Sequence, residues 1–133
     1  MPKVVRSAKN MISGMTPKLI EGDFVFARSD KPKMAETLSA RAIATMREAE
    51  GLSLILPAEI ATGADFETSP AMKCITLNVY SSLEGVGLTA AVSAALAAND
   101  IPCNMVAGYY HDHVFVPSDK ADQALAVLKA LQE

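Results

Sequence analysis

Tryptophan is absent from this chain, and only 5% of its 133 residues are aromatic, although half are hydrophobic. Its core must therefore be built from Ala, Leu, Val, Ile and Met. Neither sign of charge dominates: 12 basic and 15 acidic residues leave a net charge of −3. The basic residues are scattered, which argues against a nucleic-acid partner. No apolar run approaches the ~20 residues that a bilayer-spanning helix needs, so no membrane association is expected. The opening MPKVVRSAKNMISGM is basic but has no apolar centre and no small-residue cleavage site, so it does not read as a signal peptide. Cysteine is scarce too. Cys74 and Cys103 lack metal-ligand spacing and read as idle thiols of a cytoplasmic protein.

What is present is a clear pattern in the second half. CITLNVYS alternates, with Ile75, Leu77 and Val79 on one side and Thr76, Asn78 and Tyr80 on the other, as in a strand with one buried face. VGLTAAVSAALAAND repeats Leu88, Val92, Ala95 and Leu96 at helical spacing, and Asn99-Asp100 ends the helix. IPCNMVAGYY and HVFVP read as paired strands. A closing helix follows, with Ala121, Ala124, Leu125, Leu128 and Leu131 on one stripe and Ser118 or Asp119 as its N-cap. The order strand–helix–strand–strand–helix is a split β-α-β unit of the ferredoxin-like kind, which normally closes with a fourth strand.

The first half is less regular. DFVFAR, residues 23–28, reads as a strand without a convincing helix after it. RAIATMRE and LSLILP read as a hairpin around Ala49-Glu50-Gly51, although RAIATMRE also suits the continuation of a helix from MAETLSA. AEIATGAD suits about two helical turns, and Thr62–Met72 reads as a linker between an N-terminal half, 1–70, and a C-terminal domain, 71–133. Six strand candidates fall short of the eight that two complete ferredoxin-like units need, so the halves are expected to interlock, with residues 23–28 offered as the missing strand of the C-terminal sheet.

The string SSLEGVGLTAAVSAALAANDIPCNMVAGYYHDHVFVP resembles an ACT domain, a small ligand-binding module of regulators of amino-acid metabolism. The chain is similar to compact bacterial proteins with two such modules and, more distantly, to aspartokinase regulatory domains. The resemblance implies an α+β class: ferredoxin-like βαββαβ-type modules in two small interlocked halves, with mainly antiparallel sheets and helices on one face. It also implies regulation rather than catalysis, no cofactor, and an amino acid or similar ligand held where modules meet, across a homodimer. Carried onto this sequence, one wall of that site is the loop Leu83, Glu84, Gly85, Val86, Gly87, Leu88 and Thr89, to which Ser82 adds a hydroxyl on the reading of the residues themselves. The other is the strand Cys103, Asn104 and Met105. The loop departs from the family's frequent acidic-Pro-Gly pattern and follows the aspartokinase-like variant, so no particular ligand carries over.

The residues support parts of that reading independently. Backbone N–H groups at a helix N-terminus attract a carboxylate, glycines allow close approach to the main chain, and Glu84 suits an ammonium. The plainer account is that the glycines shape a turn and Glu84 favours the first helical turn. Asn104 offers an amide on the face opposite Ile101, Cys103 and Met105, or is merely a solvated polar residue. His111-Asp112-His113 has two imidazoles on one strand face. A catalytic zinc normally takes three protein ligands, and no third histidine exists, so a hairpin tip is the favoured reading and a metal-dependent enzyme the rival. There is no Walker loop, dinucleotide fingerprint or G-x-S-x-G elbow. An interaction protein without a ligand is a third reading.

Overall fold

The computed structural model describes residues 7–61, 67–79 and 86–133. The chain divides into two compact units. One joins the residues up to Glu21 to Lys73–Glu133, and the other is Gly22–Met72. The second is thus inserted, along the chain, between the first segment of the first unit and its remainder.

The first unit opens with a short helix, α1 (Ala8–Ser13), whose N-cap Ser7 accepts a hydrogen bond from the Asn10 amide. A three-residue strand follows, β1 (Pro17–Leu19). After the insertion come β5 (Met72–Leu77), α4 (Leu88–Ala98), β6 (Asn104–Ala107), β7 (Asp112–Pro117) and α5 (Ala121–Gln132). The strands lie in the order β1-β5-β7-β6. β1 runs antiparallel to β5, with Pro17 opposite Leu77 and Leu19 opposite Ile75. The fourth strand of the split unit is therefore Pro17–Leu19; residues 23–28, which the sequence offers for that place, meet β5 only through Phe24 opposite Met72.

Helices cover one face of these strands. Ile75, Leu77, Val79, Val114 and Val116 meet Leu88, Val92 and Leu96 of α4, Ala121, Ala124 and Leu128 of α5, and Met11 and Met15. Of the stripes read from the two helices, Leu88, Val92, Leu96, Ala121, Ala124 and Leu128 are buried, Leu125 and Leu131 pack half-buried against them, and Ala95 is half-buried. α4 ends as its pattern predicts: Asp100 adopts φ 57°, and the amides of Asp100 and Ile101 bond the carbonyls of Ala97 and Leu96, a Schellman arrangement. Two expectations need correcting. The α5 N-cap is Lys120, because Ser118–Lys120 forms a 3-10 turn ahead of the helix. The second face of β5 is not solvated: Cys74 and Thr76 are buried as well.

The second unit consists of β2 (Phe24–Ser29), α2 (Pro32–Ser39), β3 (Ala44–Glu48), β4 (Gly51–Pro57) and the short α3 (Ala58–Ala61). β4 pairs antiparallel with β3 and, along all of β2, from Phe24–Pro57 to Ser29–Leu52. The other edge of β2 meets Thr68 opposite Ala27 and Met72 opposite Phe24. The described part of the expected linker, Glu67–Met72, thus lies along β2 in a rudimentary fourth-strand position. Residues 62–66 of the linker, with the end of the expected AEIATGAD helix, are outside the described residues. Val25, Ala27, Leu54 and Leu56 form the core, with Leu38, Ala42, Leu52, Ala58 and Ala61 packed on it. The hairpin beginning near Ala42 is present, and α2 takes in most of MAETLSA but stops at Ser39 instead of continuing into RAIATMRE. Pro32 suits its first turn; none of its residues is fully buried, and Leu38 packs partly buried against the core.

Both units are mixed α/β with antiparallel pairing and a β-α-β-β-α order, each with a further segment in the fourth position, the ferredoxin-like pattern. Among the described residues, no helix is long and apolar enough to cross a membrane.

Candidate functional site

The described residues of the predicted site lie at the N-terminal end of α4 and along the start of β6. Ser82, Leu83, Glu84 and Gly85 are outside the described residues. From Val86 onward the geometry is defined. Gly87 is the N-cap at φ 111° and ψ −21°, a region that a Cβ disfavours. Its carbonyl accepts the Ala91 amide at 2.9 Å, which starts the helix. Gly87 has no side chain to cap α4, and none of the described residues does so. Among the described residues, the amides of its first turn therefore find no serine, threonine or aspartate oxygen of the kind that usually satisfies one of them.

The four described loop residues contribute differently. Val86 is 79% exposed, an unusual setting for an apolar side chain, whereas Leu88 is only 3% exposed and anchors the turn in the core. Thr89 is exposed, leaving its hydroxyl accessible beside the first-turn amides. Leu88 and Gly87 thus have only main-chain groups to offer, while Val86 and Thr89 present side chains.

On the strand side, alternation sorts the three predicted residues. Asn104 is exposed and opens β6 opposite Phe115 of β7. Cys103 and Met105 point the other way, packed against the core of the first unit. Burial raises the Cys103 thiol pKa above its ordinary value, as it does that of Cys74. Neither is poised as a thiolate nucleophile. Asn104 is the one of the three whose side chain is available to a ligand.

The histidines sit on the neighbouring hairpin. β6 and β7 pair through Ala107 and Asp112, so Gly108–His111 is the connecting turn, closed by the Gly108 amide on the His111 carbonyl at 2.9 Å. Gly108 lacks a Cβ where one would stand 3.0 Å from that carbonyl and 3.3 Å from His113 Nε2. Both imidazoles are tied to β5 and its continuation: His113 Nδ1 is 3.0 Å from Thr76 Oγ1, and His111 Nδ1 donates to the Val79 carbonyl at 3.2 Å. Burial lowers the His113 pKa, and the charge of His111 adds to that effect against the opposing Asp112. Among the described residues, no group of three or more His, Cys, Asp or Glu is placed to hold a metal ion. The turn's polar groups instead brace the hairpin against β5. Tyr109 and Tyr110 stand exposed at its tip, edge to face at 5.2 Å.

Sequence reasoning missed one polar feature, a groove in the second unit lined by Phe26, Ala27, Arg28, Glu67, Thr68 and Ser69. Half of its lining lies in the segment that reads as a linker, so only the bridge between Ala27 and Thr68 reveals it.

Comparison with known proteins places this geometry in a family. A family model described as ACT domain matches residues 71–130, and a second with the same description matches residues 5–73. A solved protein of unknown function from Vibrio cholerae, described as a possible transport protein, is 44% identical, with a TM-score of 0.83 over 94% of this chain and 95% of that one. A protein from Agrobacterium tumefaciens is 20% identical, with a TM-score of 0.71 over 87% of each chain. The ligand-free regulatory subunit of aspartate kinase from Thermus thermophilus is 10% identical, with a TM-score of 0.65 over 90% of this chain and 99% of that one; this likeness is one of fold. No curated protein sequence matches the chain.

Proposed function

The chain belongs to the ACT domain family, and on that footing we propose that it is a regulatory module without catalytic activity of its own, which binds an amino acid at the N-terminal end of α4. ACT domains commonly bind small molecules of this kind. The observation that carries the reading is Gly87: its positive φ turns the chain into α4 with no capping side chain among the described residues, which supports assigning the first-turn amides to a ligand carboxylate. The segment Ser82–Thr89 forms one wall, with Glu84 as the partner of the ligand ammonium. Asn104 contributes its amide to the other, where Cys103 and Met105 offer main-chain groups.

The second wall comes from another copy of the chain. β6 ends the strand order of the first unit and carries no charged residue from Asn104 to Ala107, whereas β3 carries Arg47 and Glu48. Charged side chains are a common protection against edge pairing, so the uncharged edge is the one suited to a homodimer. A cytoplasmic setting fits the two free thiols, Cys74 and Cys103.

A thermal-shift screen of the twenty amino acids tests the reading. Ligand at about a hundredfold excess over Kd stabilises the folded form by about 2.7 kcal/mol. At least one amino acid is expected to raise the melting temperature, and Asn104→Ala to diminish that response while leaving the unliganded melting temperature near its original value. A flat screen at millimolar concentrations contradicts the proposal.

A further inference from the structure

A second place in the molecule has the chemistry to recognise the same class of compound, and its residues lie wholly within Gly22–Met72. Ala27 of β2 bridges Thr68 in antiparallel fashion. Antiparallel pairing then sets Phe26 across from Ser69 and Arg28 across from Glu67. Because Ala27 turns into the core with Val25, Phe26 and Arg28 point to the opposite face of the strand. Over this seam lies a groove of about 360 Å³, within the range of small-molecule sites.

One end of the groove is charged with both signs. Arg28 Nε stands 3.7 Å from Glu67 Oε2, and the two side chains are 56% and 82% exposed. That separation is well beyond the ~2.8 Å of a charge-assisted hydrogen bond, so each group keeps capacity for a closer partner. The seam beside them is fixed by serine. Ser69 Oγ accepts the Phe26 amide at 2.9 Å and donates to the Pro70 carbonyl at 2.9 Å, while the Ser69 amide bonds the Phe26 carbonyl at 2.8 Å. Away from the charges the lining includes the apolar Phe26 and Ala27.

We propose that this groove is a second binding site, which takes a free α-amino acid with an apolar side chain. Arg28 holds the ligand carboxylate, Glu67 its ammonium, and Phe26 meets its side chain. A zwitterion satisfies the argument because it answers each charge of the loose pair with its opposite. A simple anion meets one attraction and one repulsion, from Glu67, and a simple cation the reverse from Arg28. The site belongs to the other compact unit from α4 and does not depend on the reading proposed for that helix.

Backbone amide spectra of the isotope-labelled full chain test the assignment, with leucine, methionine and phenylalanine as probes. Saturable shifts are expected at Phe26, Arg28, Thr68 and Ser69 with at least one probe. The N-acetyl derivative and the amide of that amino acid should each bind at least about tenfold more weakly, since each loses a charge-assisted contact. Arg28→Gln and Glu67→Gln should weaken the parent amino acid to a similar degree while preserving the dispersion of the unliganded spectrum. Three results overturn the proposal: no saturable shift at these amides with any probe, blocked derivatives that bind as well as the zwitterion, or variants that bind as the original chain does. Shifts confined to Val86–Thr89 and Asn104 sustain the α4 site and overturn this one.

Discussion

His113 Nδ1 lies 3.0 Å from the hydroxyl of Thr76, joining β7 to β5 by side chains on the face opposite the main core of the first unit. Burial holds this imidazole below its ordinary pKa of 6.5, with His111 adding to the depression and Asp112 opposing it. The neutral ring is therefore favoured in the folded chain. As pH falls through 6.5, the unfolded chain takes up a proton that the folded chain resists, so stability declines with acidification until the folded pKa is passed. Urea unfolding of the original chain and of His113→Gln at pH 7 and pH 5 separates this effect from the carboxylates. The stability advantage of the original chain over the variant should shrink at pH 5. An advantage that grows on acidification contradicts the assignment.

The first unit depends on the stretch ahead of the insertion. Met15 is fully buried, and Pro17–Leu19 pairs with Ile75–Leu77. Met15→Ala is expected to cost about 2–5 kcal/mol, the usual penalty for emptying a buried methionine site. Removing residues 1–21 should abolish the cooperative unfolding of the first unit, because β5 then loses its β1 pairing and the core of Ile75 and Leu128 loses Met11 and Met15. Amide-exchange protection at Ile75, Val114 and Leu128 provides the readout. Undiminished protection after truncation contradicts the strand order.

Asp100 holds the left-handed position that ends α4, at φ 57°. Only glycine occupies that region without steric cost, although aspartate tolerates it better than most residues. Asp100→Gly should raise stability by up to about 1 kcal/mol and Asp100→Val lower it by about 1–2 kcal/mol. The Asp100 carbonyl, which accepts from Lys120 Nζ at 2.8 Å, is retained in both variants. Denaturant midpoints measure the two directions, and a stabilising valine contradicts the explanation.

Periodicity made the C-terminal segment readable because its stripes are strict: Leu88, Val92 and Leu96, or Ala121, Ala124 and Leu128, recur where a helix must face a core. β1 left no such trace. Three residues that begin with proline have no period, and their extended form is defined by pairing with residues some sixty positions away. α2 was obscured for a different reason: MAETLSA has helical composition, but RAIATMRE after it has the same composition and forms a strand. At the candidate site, strand alternation correctly set Asn104 apart from Cys103 and Met105, because a period of two decides which side chains point outward. The conformation of Gly87 was foreshadowed only by its being glycine. The groove beside Arg28 escaped notice because its second wall, Glu67–Ser69, joins β2 through a single bridge rather than through a patterned strand.

The most direct test follows the amides at the start of α4 during titration with the amino acid that emerges from the thermal screen. The account predicts saturable shifts at Gly87, Leu88 and Thr89, accompanied by Asn104, and their loss with the amide derivative of that amino acid, which lacks the carboxylate. Saturable binding that leaves these four signals in place, or that survives removal of the carboxylate, contradicts it.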